Sequence, residues 1–102
     1  MELEDSHQKA WSDLAASFLG IGQFDKARRA VARALELDPR DPISLCTLGN
    51  CQEHSGDLKA ALASYEQAAA LDPHYEPARN EVQRLRKRVG SDQRHRRPWP
   101  WG

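Results

Sequence analysis

The sequence predicts an all-α fold in which antiparallel helix–turn–helix pairs stack side by side as an α-solenoid. Two observations carry this. The stretches LELDPRDP (35–42) and ALDPHYEP (70–77) each contain Leu-Asp-Pro, and Pro39 and Pro73 lie 34 residues apart. Sliding the chain by 34 residues sets 8–41 on 42–75 without a gap. Seven identities result: Leu14/Leu48, Gly22/Gly56, Ala27/Ala61, Ala34/Ala68, Leu37/Leu71, Asp38/Asp72 and Pro39/Pro73. Similar pairs add Trp11/Leu45, Phe24/Leu58 and Val31/Tyr65. A fixed period of this length marks supersecondary units that bury their core only against one another.

Each unit reads as two helices. In the first, Trp11, Leu14 and Phe18 share a helix, Gly22 makes the turn, and Ala27, Val31, Ala34 and Leu35 lie on the second helix. In the second, Asp41 suits an N-cap and Pro42 suits the first turn, where its missing N–H goes unneeded. Leu45, Leu48 and Cys51 give an apolar face at helical spacing. Gly56 ends that helix by accepting the left-handed conformation. Asp57 caps the next, which runs through Ala61, Leu62, Tyr65 and Ala68 to Leu71, and Asp72-Pro73 stops it. A fifth helix is expected from Glu76-Pro77 to about Val89, with Gly90 as its C-cap. Its apolar positions are few (Ala78, Val82, Leu85, Val89), as a solvating terminal helix requires. The expected organisation is an N-terminal extension (1–5), a first repeat (6–41), a second (42–75), a capping helix (76–90) and a basic tail (91–102).

Composition bounds the function. At 102 residues the chain fits one small domain, too short for a deep catalytic pocket with a second module. Charged residues make up 29% and hydrophobic ones 39%, a globular balance. No run approaches the roughly 18 apolar residues of a membrane span. The acidic N-terminus does not read as a secretory signal. Cys46 and Cys51 are the two cysteines. On one helix they point about 140° apart and cannot pair, so a reducing, cytoplasmic or nuclear setting is expected. The formal net charge of zero hides an asymmetry. Residues 1–78 carry 7 basic and 13 acidic side chains; residues 79–102 carry 8 basic and 2 acidic. Such a split bears on partners or self-association.

These residues resemble the tetratricopeptide repeat, a 34-residue helix–turn–helix whose pattern runs Trp, Leu-Gly, Tyr, then Ala, Phe, Ala and a closing Pro. The second unit supplies Leu45, Leu48-Gly49, Gly56, Ala61, Tyr65, Ala68 and Pro73. The first supplies Trp11, Leu14-Ala15, Phe18, Gly22, Ala27, Val31, Ala34 and Pro39. Gln52 departs from the aromatic preference, and Ala15 replaces glycine. The resemblance covers about residues 6–89 and implies a right-handed superhelix with no catalytic role and no cofactor. It also implies a concave groove, lined by the first helix of each repeat, that holds a peptide or helix of a partner protein. Helical phase then assigns the groove to Lys9, Ser12, Ala16 and Leu19, to Ile43, Cys46, Asn50 and Glu53, and to Asn80, Arg84 and Lys87. Asn50 stands out because an amide both donates to and accepts from a peptide backbone. Arg84 and Lys87 suit a carboxylate. The family's carboxylate clamp is not matched: Ser12 and Ala16 replace its Lys and Asn, and Thr47 its second Asn. Two repeats are near the lower limit for a continuous core, which leaves room for a homo-oligomer or a place in a larger complex.

Other chemistry fails on spacing. Gly20-Ile-Gly22 opens like a nucleotide loop, but Asp25 stands at the third glycine and no strand precedes it. Cys51 and His54 share a helix face without a further ligand pair, so no metal site is expected. No serine, histidine and carboxylate form an ordered set, so no catalytic residue is assigned. The tail SDQRHRRPWPWG holds Arg94, Arg96, Arg97, Trp99 and Trp101. It reads as a linear motif for another protein, as an RNA- or anionic-membrane contact, or as an end without a role. The sequence reading is therefore a small adaptor or scaffold. The alternative is a nucleic-acid- or membrane-associated module acting through the basic C-terminal segment.

Overall fold

A computed structural model describes residues 2–96, with side chains over 7–89. It contains five helices: α1 (Glu2–Gly20), α2 (Phe24–Leu37), α3 (Pro42–His54), α4 (Leu58–Leu71) and α5 (Glu76–Arg96). Among the described residues there is no strand. α1 pairs with α2 and α3 with α4, and α5 closes on α4. α1 also touches α3, and α3 touches α5, so these three form one layer and α2 and α4 the other.

Local chemistry sets the helix ends. Asp41 caps α3: its Oδ1 accepts from the Ile43 N–H at 3.2 Å, and Pro42 takes the first turn. Asp57 caps α4 through the Ala60 N–H at 3.1 Å. Gly22 (φ 80°) and Gly56 (φ 92°) make the two intra-repeat turns in the left-handed region, where a β-carbon would be strained. Asp38 and Asp72 end α2 and α4 in extended conformation and start the prolines' turns.

The core is small-residue contact filled by a few large side chains. Ala15, Ala30 and Val31 are buried, with Trp11, Phe18, Leu35 and Leu48 packed on them. One repeat later, Cys46, Ala61, Tyr65, Val82 and Leu85 form the equivalent cluster. Leu45, Ala68 and Ala78 bridge the two. The departure at Gln52 is compensated: its Oε1 accepts from the buried Ser64 hydroxyl at 2.6 Å.

Two expected boundaries move. α1 already begins at Glu2, inside the expected extension, and α5 passes through Gly90 to Arg96. Mid-helix glycine costs only about 1 kcal/mol relative to alanine, and residues 91–96 contain no proline. The next helix-opposing signal is Pro98, which disfavours helix at the residue before it.

Candidate functional site

The groove face is built by α1, α3 and α5. Asn50 sits half-buried at the middle of α3. Its Nδ2 donates to the Cys46 carbonyl at 3.3 Å, and its Oδ1 accepts from the Tyr65 hydroxyl at 2.8 Å. These bonds fix the orientation of the amide. One N–H and one lone pair stay free for a ligand. Tyr65 comes from α4, in the other layer, and its ring is fully buried. Its hydroxyl bonds to the α3 side chains Asn50 and Glu53. Burial, with the negative charges of Glu81 and Glu53 nearby, pushes its ionisation far above the usual tyrosine range, so it stays a donor.

One turn along α3, Glu53 faces α5. Arg84 grips it with two bonds, Nη1 to Oε2 at 2.8 Å and Nη2 to Oε1 at 2.7 Å. The same guanidinium takes Glu81 at 3.1 and 2.9 Å. Arg88 stands 3.9 Å from Glu53, and Tyr65 Oη 3.3 Å. The Arg84 hydrogen bonds hold the Glu53 carboxyl below its usual range, against the opposing effect of burial. Both glutamates raise Arg84 further above its ordinary value. The carboxylates that Arg84 receives here are thus the chain's own.

At the other end of the groove, Lys9, Ser12 and Ile43 line one open depression of about 650 Å³ with Asp13, Asp38 and Asp41. Ile43 is 50% exposed. Ser12 is buried, its hydroxyl 3.2 Å from that of Ser44, which donates to Asp41 Oδ2 at 2.6 Å. Gln8 Nε2 donates to the same oxygen at 2.7 Å, so the α3 cap also fastens α1.

The structure places the expected groove residues unequally. Lys9, Ala16, Ile43, Asn80, Arg84 and Lys87 are exposed, and Leu19, Asn50 and Glu53 are half-buried. Ser12 and Cys46 offer little surface, Ser12 lining the depression at the Ile43 end with an almost wholly buried side chain and Cys46 lying in the core cluster of Tyr65 and Leu85. Both are buried, because the layer's helices approach closely at small side chains. Burial pushes the Cys46 thiol up to about 11, and the Cys51 thiol upward as well. Both cysteines are free. Thr47 is also buried, donating to the Ile43 carbonyl at 3.0 Å. Sequence reasoning missed the Tyr65 hydroxyl and Glu81. The first was signalled by tyrosine where the repeat pattern has phenylalanine, the second by its i, i+3 spacing from Arg84. Among the described residues no three His, Cys, Asp or Glu gather to hold a metal. The tail residues Arg94, Arg96, Arg97, Trp99 and Trp101 lie outside the described side chains.

Comparison with known proteins agrees with this architecture. The tetratricopeptide repeat family model matches residues 12–76. The chain is 33% identical over 66 residues, 65% of its length, to anaphase-promoting complex subunit 3 of Schizosaccharomyces pombe. It is 26% identical over 91 residues, 89% of its length, to small glutamine-rich tetratricopeptide repeat-containing protein 2 of Mycosarcoma maydis. It spans 10% and 26% of the length of these two relatives. The second tetratricopeptide repeat domain of Spaghetti (RPAP3), solved with the HSP90 peptide SRMEEVD, superposes with a TM-score of 0.78 at 17% identity. The superposition covers 89% of this chain and 86% of that one. The C-terminal repeat domain of a Plasmodium falciparum FK506-binding protein gives a TM-score of 0.79 at 20% identity, covering 89% of this chain and 60% of that one. The chain belongs to the tetratricopeptide repeat family, whose members generally mediate protein–protein interactions.

Proposed function

We propose that the chain is a non-catalytic adaptor or scaffold module that holds a peptide or helix of a partner protein in the groove between α1, α3 and α5. The observation that carries this reading is the Asn50 amide, fixed by Tyr65 and Cys46 with one donor and one acceptor free. A preset amide binds a peptide backbone without first losing rotamer freedom. The groove is also polarised. Asp13, Asp38 and Asp41 lie at the Ile43 end, and Arg88 stands by the Glu53–Arg84 pair at the other, with the exposed Lys87 next to it in sequence. Such a field suits a segment with a basic end, an apolar residue over Ile43 and an acidic end. A terminal carboxylate would have to displace Glu53 from Arg84, which argues against clamp-type chaperone binding. The proposed setting is the cytoplasm or nucleus, a reducing compartment that suits two unpaired thiols at Cys46 and Cys51.

The alternative, phosphate or anionic-lipid binding through the basic C-terminal segment, loses two of its cations to the body. Arg84 is held by Glu53 and Glu81, and Arg86 by Glu66 at 2.9 Å.

Selection from a displayed random peptide library tests the proposal. Enriched peptides are expected to bind the wild-type chain and to lose affinity about tenfold with Asn50→Ala or Ile43→Glu. Enriched peptides indifferent to both substitutions would reject groove binding. Steep weakening with salt that vanishes on charge reversal of Arg94, Arg96 and Arg97 would favour the alternative.

A further inference from the structure

The 34-residue period lets the α2–α3 junction be compared with the α4–α5 junction position by position. Where α4 meets α5, the register holds Leu58 and Leu62 on one helix and Leu85 and Val89 on the other. Leu58 and Leu62 pack on the core cluster that contains Leu85, and Val89 is half-buried. Where α2 meets α3, the same register holds Phe24, Arg28, Cys51 and Ser55. A guanidinium, a thiol and a hydroxyl thus stand where the second junction has leucine, leucine and valine. Here the junction stays open. A depression of about 490 Å³ is lined by these four residues together with Lys26 and His54. Its volume lies in the range of small-ligand sites, and none of the residues assigned to the groove lines it.

Packing does not account for the cations, since leucine and valine satisfy the same register at the second junction. Nor does internal ion pairing. Lys26 and Arg28 are both exposed, and among the described residues neither has a carboxylate within ion-pair distance. Other arginines of the body are taken: Arg33 by Glu36, Arg84 by Glu53 and Glu81, Arg86 by Glu66. The Lys26 ammonium lies 5.8 Å from the centre of the Phe18 ring, a contact that leaves its N–H donors available. The His54 ring stacks on Phe24, with centroids 3.9 Å apart and planes at 23°. The depression therefore joins two uncommitted cations to an aromatic pair.

We propose that this depression is a second docking site, separate from the groove, for an acidic peptide segment of a partner protein. A glutamate or aspartate of the segment is held by Arg28, whose planar fork matches a carboxylate, with Lys26 beside it. The neighbouring side chain of the segment lies against the Phe24–His54 pair. Charge balance selects this ligand. Asp25 is the one carboxylate of the lining, so two cations face one fixed anion. That suits a singly charged carboxylate better than a phosphate dianion, which Asp25 would repel more strongly. A nucleic acid is disfavoured further. Residues 1–78 carry 7 basic and 13 acidic side chains, and the body around the depression would repel a polyanion. The site and the groove stand on different residues, so either can fail without the other.

Amide chemical shifts of the isotope-labelled full chain, titrated into the millimolar range with the peptide acetyl-Trp-Glu-Glu-amide, test this. The amides of residues 22–28 and 51–55 are expected to move as one saturable set. The uncharged peptide acetyl-Trp-Gln-Gln-amide is expected to bind about tenfold more weakly. Arg28→Leu, which gives the first junction the side chain that Leu62 gives the second, is expected to weaken the glutamate peptide about tenfold without lowering the melting temperature. Lys26→Gln, at an exposed position, is expected to weaken it about threefold. Arg33→Gln, on the same helix but outside the depression, leaves the affinity unchanged. The absence of a saturable shift, a glutamine peptide that binds as well, or binding indifferent to both Arg28→Leu and Lys26→Gln overturns the proposal. Shifts centred on Ile43 and Asn50 instead would place the peptide in the groove and overturn it too. Tighter binding of acetyl-Trp-phosphoserine-amide, or of a single-stranded oligonucleotide, would replace the carboxylate by phosphate and likewise overturn it.

Discussion

The ring of Tyr65 fills the space a side chain at residue 49 would need. A β-carbon on Gly49 would stand 2.7 Å from Tyr65 Cε1 and 2.9 Å from Cδ1 and Cζ. Tyr65 is fully buried and tied at its hydroxyl to Asn50, so it has little room to yield. Gly49→Ala is therefore expected to destabilise the chain by about 1–3 kcal/mol despite alanine's better helix propensity. Thermal unfolding followed by circular dichroism checks this. The same substitution in a Tyr65→Leu background should cost less, since the colliding ring atoms are gone.

The Tyr65 hydroxyl links the core to the groove, and removing it separates the two roles. Tyr65→Phe keeps the packing on Gly49 but releases the Asn50 amide and one contact to Glu53. The expected loss of stability is about 1 kcal/mol. Affinity for any groove peptide selected on the wild-type chain should fall as well. Urea titration and peptide binding on the same variant check both. Unchanged affinity would show that the amide's fixed orientation is irrelevant to binding.

The repeat architecture was legible because it rests on backbone chemistry written locally. Asp41, Gly56, Asp57 and Asp72 act at helix ends, where one residue decides the outcome. The end of α5 was not legible from Gly90, because glycine permits a helix stop without imposing one. The face proposed as the groove was legible in part. Helical phase identifies the residues of one face but not how near the next helix lies, so Ser12 and Cys46 fell inside the layer. Arg84 illustrates the other limit. Its partner Glu53 is 31 residues away on another helix, and no local pattern announces that pairing.

The cap of α3 should be worth more than an ordinary N-cap. Asp41 accepts from Ile43 on its own helix and from Gln8 and Ser44 at the junction with α1. Asp41→Ala removes the cap and leaves the buried Ser44 hydroxyl without that acceptor. A loss of about 2 kcal/mol is expected. Asp57→Ala removes a cap that joins no second repeat, so about 1 kcal/mol is expected there. Equal losses in chemical denaturation would mean that the Gln8 bond adds nothing to the stacking of the repeats.

The Glu53–Arg84 contact gives the fold a sign-definite pH dependence. Arg84 lowers the Glu53 carboxyl in the folded chain relative to its usual 4.5. A group depressed on folding contributes its stability above the unfolded value and loses it as pH falls through the folded value. Glu53 stabilises the fold from neutral pH down to about 4.5, and acid below that removes the contribution. Arg84 is 44% exposed, so solvent screens the pair and the effect is modest. Glu53→Gln should lower stability at pH 7 and approach the wild-type value at acid pH, where the wild-type carboxyl is itself protonated. Melting curves of both proteins between pH 3 and 7 distinguish the cases. A difference that stays constant with pH would mean that Glu53 acts through packing and neutral hydrogen bonds. The α3–α5 closure would then not depend on charge.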